Sequence, residues 1–297
     1  MVSIKQQKAM LVEYKSYLLS KGYTENTVSR YIKEILLYYN SMEKPISEEY
    51  IQIYLHNRKS HTKISNLKRI QSVLINYYYF LFGVKLGPIL NENKLKNEKI
   101  TYLKHSEFNS LVQTVLNPYP VAIGEKEKLL RSILKERNLM ILLFLGKYGL
   151  TRNEVVTLNM DQVNFYMRNI KIGETNISIQ NEDMKRLYDY YKSIPVSIRP
   201  MMHSEQAVFV AYDNNRMTYL WDYSKEMPKR LSDEAIKKLI RKEGQYAGLH
   251  NISSRVLRNT AIINALNNGE SIETVKTLFR LKSIHAVNRY RRFLRIE

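Results

Sequence analysis

No cysteine occurs among the 297 residues, which excludes disulfides and cysteine-ligated zinc and fits a cytoplasmic location. Histidine does not rebuild a metal site. The six histidines (His56, His61, His105, His203, His250 and His285) form no i, i+4 pair and have no carboxylate cluster beside them, so neither a metal nor another cofactor is expected. No apolar run approaches the ~20 residues that a membrane-spanning helix needs, so no membrane partner is expected. The opening Met1-Val-Ser-Ile-Lys-Gln-Gln-Lys lacks a signal-peptide pattern, and no glycine-rich phosphate loop is present. Acidic residues are scarce as well. The 28 Asp and Glu face 47 Lys and Arg, for a formal charge of +19 and a pI of about 9.7, a balance that calls for a polyanionic partner.

The basic excess is spread along the chain. Residues 1–103 hold 16 basic and 8 acidic side chains, leaving 31 and 20 for the remainder, so both halves are cationic and suit a clamp better than a single basic arm would. The 23 tyrosines come with many Lys, Asn and Ile and read as a compositional bias. A chain of this length can bury more than one core, and its patterning divides it into a helical segment 1–84, a linker 85–103 and a second domain 104–297.

From Ile4 to Phe82 the apolar spacing is helical. Leu11, Tyr14 and Leu18 mark a first stripe, and Val28, Ile32, Ile35 and Tyr39 a second behind an N-cap at Thr24. Ser47 caps a third helix, and Leu67, Ile70, Leu74 and Tyr77 mark a fourth. Four short helices make a bundle. Its polar faces carry Asn26, Ser29, Arg30 and Lys33 on the second helix and Lys63, Asn66, Lys68 and Arg69 on the fourth, candidates for contact with the polyanionic partner. The linker is poor in apolar residues and mixed in charge, as a flexible tether would be.

In the second domain, Leu139-Met-Ile-Leu-Leu-Phe-Leu reads as a buried helix stopped at Gly149. Thr151 and Glu154 have the spacing of a capping box. Short strands are expected over 163–165, 169–172 and 176–179, with Gly173 and Glu174 in a tight turn. Another helix is expected from Met184 to Tyr191, a buried apolar run at 208–212, and a helix capped by Ser232. The last forty residues hold Arg255, Arg258 and Asn259 at the start of an apolar helix that Gly269 ends, then Arg280, Lys282, Arg289 and Tyr290. Arg258 is expected to project from the first turn of its helix. This row of cations with one phenol among them suits phosphates.

The order of residues in 252–290 resembles the C-terminal signature of the tyrosine recombinase (phage integrase) family, in which His-x-Leu-Arg-His-Thr precedes Leu-Gly-His-Ser-Ser-Ile and a nucleophilic Tyr. Leu257, Arg258, Thr260, Gly269, Ser283, Ile284 and Tyr290 match. Arg255 and Asn259 stand where the family has its two histidines, and Arg280-Leu281 where it has Gly-His. Residues 149–161 resemble the family's first signature through Gly149, Leu150, Glu154 and Leu158. The first catalytic Arg falls there on Thr151, with Arg152 one place on. The lysine that the family carries in its hairpin turn is replaced by Glu174, leaving Lys171 in the adjoining strand as a weak substitute.

The resemblance implies a mainly α fold. Its N-terminal part is a four-helix, SAM-like core-binding bundle, and its C-terminal part is a mixed α/β, mostly helical catalytic-type domain with a small three-stranded antiparallel sheet. It implies Tyr290 as nucleophile and Arg258, with Arg152 and Arg255 as replacements, as the phosphate clamp. Cleavage by this route uses two guanidiniums on the phosphate, a proton leaving a phenol and a proton reaching the departing oxygen. A guanidinium cannot act as a base, and Leu281 offers no donor. Binding suffers less, because affinity for duplex rests on neutralised phosphates, and Arg255 and Arg280 add cations where DNA is expected. The reading is a sequence-specific binder of double-stranded DNA with a degraded catalytic site, serving a plasmid or other mobile element in replication initiation, partition or regulation. Its targets would be inverted or direct repeats, bound as a homodimer. The alternatives are an active recombinase that works through a Tyr290 3′-phosphotyrosine, and an RNA-binding protein.

Overall fold

The computed structural model describes residues 4–90, 100–117 and 124–291. The chain falls into two compact units, Met1–Glu98 and Lys99–Glu297, and is mainly helical with small antiparallel sheets. Residues 91–99 of the expected linker and 292–297 of the basic C-terminus lie outside the described residues.

Unit 1 contains α1 (Ile4–Ala9), α2 (Leu11–Ser20), α3 (Glu25–Met42), α4 (Glu48–Arg58) and α5 (Ile64–Phe82). The helix expected first is broken at Met10 into two pieces, so five helices stand where four stripes were counted. Local chemistry sets their starts: Thr24 accepts from the Thr27 N–H and Ser47 from the Tyr50 N–H. The stripes converge on a core with Tyr14, Ile35, Tyr39, Ile70 and Tyr77 fully or almost fully buried. The buried hydroxyls find partners, Tyr14 on Asn76 at 2.6 Å and Tyr39 on the Gln7 side chain at 2.9 Å, as burial of a polar group demands. The described start of the linker is packed and not free, since Leu86, Ile89 and Leu90 lie against this core and the Leu90 N–H donates to Gln71 at 2.7 Å. Their apolar side chains outweigh the polar average of the segment.

Unit 2 is built on α7 (Glu125–Gly146), whose residues from Leu139 to Leu145 are all buried. Around it lie α6 (His105–Leu116), α8 (Arg152–Thr157), α9 (Asn181–Ser193), α10 (Asp233–Tyr246), α11 (Ser254–Asn267), α12 (Ile272–Leu278) and α13 (Ile284–Arg291). Strands β1 (Val163–Asn164), β2 (Asn169–Ile172) and β3 (Thr175–Ser178) form one antiparallel sheet in the order β1-β2-β3, with Ile172 opposite Thr175 across the two-residue turn Gly173-Glu174. The apolar run at 208–210 is buried but contributes only an isolated bridge at Val210, beside another at Ala207. After it come two hairpins that the alternation of residues did not announce, β4 (Tyr212–Asp213) with β5 (Thr218–Tyr219) and β6 (Trp221–Asp222) with β7 (Met227–Pro228). Two-residue strands are too short to show a period.

Candidate functional site

The site assembles at the turn after α7. Gly149 has φ +63°, a left-handed conformation, and a Cβ there would fall 2.1 Å from the Phe279 ring, so only glycine fits. The turn delivers Thr151, whose hydroxyl accepts from the Glu154 N–H at 3.2 Å while Glu154 Oε2 accepts from the Thr151 N–H at 2.6 Å. Both ends of this capping box serve the helix start. The Thr151 hydroxyl is committed to the backbone.

Glu154 has further partners, and they come from the far end of the chain. Arg280 follows α12 in a left-handed conformation, φ 51°, at a position that usually takes glycine. Its guanidinium turns inward. Nε donates to Glu154 Oε1 at 2.7 Å, Nη2 to Glu154 Oε2 at 3.0 Å and Nη1 to the Leu278 carbonyl at 2.5 Å. The surface cation expected at 280 is therefore half-buried and paired with a carboxylate, because the turn after α12 aims the side chain at α8. Arg258 approaches the same carboxylate from α11, with Nη1 3.5 Å from Glu154 Oε2 and Nη2 donating to the Phe279 carbonyl. At 3.5 Å the ion pair is made, but Nη1 is buried and has no hydrogen-bond partner. Helix α11 begins at Ser254 behind the Ser253 cap, so Arg258 sits beyond the first turn, where it was expected, and is screened by α12.

The electrostatics follow from this crowding. Burial acts to raise the Glu154 carboxyl, but the hydrogen bonds from Arg280 and the Thr151 N–H outweigh it and hold the group below its ordinary value. Burial lowers Arg258, with Arg280 acting in the same sense and Glu154 and Tyr290 opposing. Arg258, Arg280 and Glu154 together carry a formal charge of +1, with 15%, 15% and 20% of their side chains exposed.

Tyr290, on α13, is 6% exposed and packs in a core with Ile262, Val275, Phe279 and Val287. Its hydroxyl donates to Asn259 Oδ1 at 3.0 Å, and Asn259 Nδ2 donates to the Thr101 carbonyl at 2.9 Å. The second bond fixes the amide, leaving Oδ1 to accept from the phenol. Asn259, expected to face DNA, is 4% exposed and spent on this relay. Leu103 is anchored to α11 in turn by a 2.8 Å bond from its N–H to the Thr260 hydroxyl, so the described end of the linker at 100–103 belongs to unit 2.

The other candidates lie on the surface. Arg152 pairs with Asp233 at the start of α10, which draws it away from the Glu154 cluster. Arg255 and Lys282 are exposed, and exposed Arg289 lies 5.4 Å from the Tyr290 ring centroid. Lys171 is exposed on β2 opposite Asn176. In unit 1, Asn26, Ser29, Arg30 and Lys33 are exposed along α3, and Lys63 and Asn66 are exposed at the start of α5 with Lys68 half-buried. Arg69 is exposed as well but already paired, donating to Glu34 at 2.6 Å and to Asn66 at 3.0 Å, with Arg58 on the other Glu34 oxygen at 2.9 Å. A buried carboxylate captures it. No group of three or more metal-ligating side chains occurs among the described residues, and none of their helices is long and apolar enough to cross a membrane.

Sequence reasoning missed the second role of Glu154. Its spacing to Thr151 announces a cap, whereas its guanidinium partners lie more than a hundred residues away and leave no local signal.

Comparison with known proteins places these features in context. The profile of the phage integrase family matches residues 102–295. The tyrosine recombinase XerA of Pyrococcus horikoshii is 23% identical over 274 residues, 91% of this chain and 84% of that protein. Among solved structures, the XerH site-specific recombinase bound to palindromic difH substrate, a post-cleavage complex, aligns with a TM-score of 0.66 at 13% identity, over 96% of this chain and 81% of that one. The Tn1549 transposon integrase in complex with a circular intermediate DNA gives 0.64 at 12% identity, over 98% and 95%. A lambda integrase dimer bound to a COC′ core site gives 0.61 at 15% identity, over 95% and 94%. At these identities the structural likeness establishes a shared fold.

Proposed function

The chain belongs to the phage integrase family, and from that premise we propose that it binds a specific double-stranded DNA site while having lost the chemistry that cuts it. One observation carries the reading. Arg258 is kept and Arg280 joins it, but the groups around them are unable to move a proton: Thr151 caps a helix, Asn259 is held by a carbonyl, Leu281 has no donor, and arginine keeps its proton. Loss of one preorganised donor costs about 10² to 10³ in rate. Several are altered here, so turnover falls far below that of an intact site even though such losses do not simply add.

Binding draws on a different set. Arg255, Lys282 and Arg289 in unit 2 and Arg30, Lys33, Lys63 and Lys68 in unit 1 present cations that neutralise phosphates. Asn26 and Ser29, on the face of α3 that holds Arg30 and Lys33, supply short polar groups for base edges. The chain binds inverted or direct repeats as a homodimer, in the cytoplasm, and serves a plasmid or other mobile element in replication initiation, partition or regulation.

A second reading is favoured by the convergence of Arg258 and Arg280 on Glu154, with the Tyr290 hydroxyl bonded to Asn259, the residue after Arg258 on α11. On that reading the protein is an active recombinase that forms a 3′-phosphotyrosine at Tyr290. A nicked suicide substrate that carries the cognate site separates the two. Retarded duplex without covalent protein is the expected result, and an adduct that disappears in Tyr290→Phe would reject loss of cleavage. Competition with RNA duplex and with single strands tests the polymer; preference for either would reject double-stranded DNA as the partner.

A further inference from the structure

We propose that Arg137, Tyr190 and Tyr219 form a buried site in unit 2 for one small monovalent anion, chloride, which supplies the counter-charge that the chain itself does not give Arg137. The site is independent of DNA binding and uses none of the residues assigned to it.

Arg137 lies on α7 and is 6% exposed. A guanidinium keeps its proton and has five N–H groups, and a buried charge is costly unless it is paired. Nε and Nη2 share a single acceptor, Asn138 Oδ1, at 3.3 and 3.1 Å, and Nη1 reaches the Val210 carbonyl at 3.4 Å. The other two N–H groups have no acceptor, and among the described residues no carboxylate pairs with this arginine. Glu243, which accepts from the Asn138 amide, is already spent on Arg131 at 2.8 Å.

The hydroxyls around Arg137 are donors too. Val210 ties two of the walls together: its carbonyl accepts from Arg137, and its N–H donates to the Tyr190 hydroxyl at 2.9 Å. That bond uses a lone pair and leaves the Tyr190 O–H unspent. Two residues on, Tyr212 pairs with Tyr219 across the β4–β5 hairpin, their ring centroids 5.0 Å apart, and the Tyr219 hydroxyl is buried with no hydrogen-bond partner. All three phenols act on Arg137 electrostatically. A Tyr190 phenolate does not supply the missing charge, because burial pushes that phenol up against the opposing pull of Arg137. Burial acts on Tyr212 in the same direction. Donors from α7, α9 and the hairpin thus converge without an acceptor, and one anion satisfies them together. With Tyr190 at 1% and Tyr219 at 6% exposed, so closed a setting favours a halide over sulfate or phosphate.

Arg131 provides a contrast on the same helix. It is equally buried, yet the Glu243 carboxylate, the Thr114 carbonyl and the Tyr246 ring answer its charge. The charge of Arg137 is answered only from outside the chain, by an ion that ties the hairpin to α7 and α9 and so stabilises unit 2 by mass action.

The experiment unfolds the full chain with urea in sodium chloride or sodium gluconate at equal ionic strength, so that screening is the same in both, and follows unit 2 by Trp221 fluorescence. Chloride should stabilise the wild type relative to Arg137→Met along the saturation curve of one site. Tyr219→Phe leaves the net charge unchanged and serves if Arg137→Met does not fold. In gluconate this variant should be at least as stable as the wild type, because it removes a buried hydroxyl that lacks a partner. In chloride it should be the less stable of the two, because it binds the ion about tenfold more weakly, the effect of losing one hydrogen bond to a charged group. Bromide located by anomalous scattering in crystals gives the position directly, with a peak in reach of both Arg137 and Tyr219 expected. A difference between wild type and Tyr219→Phe that is the same in both salts assigns any chloride effect to the basic surface and overturns the proposal, as does bromide found only elsewhere. No DNA enters these measurements, so their failure leaves the DNA-binding reading untouched.

Discussion

Replacement of Arg280 tests both the ion pair and the backbone that carries it. Two opposing contributions act. The guanidinium makes a bidentate, half-buried pair with Glu154 and two further contacts to the Leu278 and Gly149 carbonyls, and hydrogen bonds to charged groups contribute about 1.5–3 kcal/mol. Glu154 keeps the Thr151 N–H and Arg258, so it is not stranded, and Arg280→Ala should cost about 2 kcal/mol, inside that range. Against this, φ 51° is left-handed, a conformation that costs an ordinary residue about 1–2 kcal/mol and glycine nothing. Arg280→Gly should therefore recover about 1 kcal/mol of the loss that Ala shows. The assay is urea unfolding followed by fluorescence of Trp221, the single tryptophan, which lies in unit 2 and so reports that unit without mixing in unit 1.

Acidity provides the control. Glu154 is held below its ordinary 4.5 by Arg280 and the Thr151 N–H, and a carboxyl with a depressed folded value adds stability that is present above the unfolded value and lost as pH falls through the folded one. The gap between wild type and Arg280→Ala should stay constant from pH 8 to pH 5 and shrink below pH about 4.5. A Gly variant less stable than the Ala variant, or a gap that does not respond to acid, would refute the account of Arg280 as a strained residue pinned by Glu154.

Gly149→Ala combines a left-handed φ with a Cβ placed 2.1 Å from the Phe279 ring, and should cost about 3 kcal/mol or more in the same unfolding assay. Arg131→Met strands Glu243, its buried partner at 2.8 Å, for a loss of about 3–5 kcal/mol, and a second change of Glu243→Leu should restore most of it. Burial lifts the Glu243 carboxyl above its ordinary range against the pull of Arg131. A raised folded value means stability present at low pH and lost as pH rises through it, so Arg131→Met should be visibly more stable at pH 5 than at pH 8. Arg30→Ala with Lys33→Ala on the exposed face of α3 should weaken duplex binding and lower the slope of log affinity against log salt by about 1 per cation removed, with unfolding unchanged within about 0.5 kcal/mol.

Much of this protein was determined locally and could be read without coordinates. Helical stripes such as Leu67, Ile70, Leu74 and Tyr77 bury as their spacing requires, Thr24, Ser47 and Ser232 cap helices because each is followed three residues on by an N–H that needs an acceptor, and Gly173-Glu174 turns a hairpin. These features depend on neighbours within four or five residues, which the sequence lists side by side. The destination of the charges could not be read that way. Arg280 reaches Glu154 across 126 positions and Arg69 reaches Glu34 across 35, while Arg152 is claimed by Asp233 across 81. A cation has no preference for solvent, for a phosphate or for a carboxylate until packing decides which of them is within 3 Å, and that choice belongs to the tertiary structure alone.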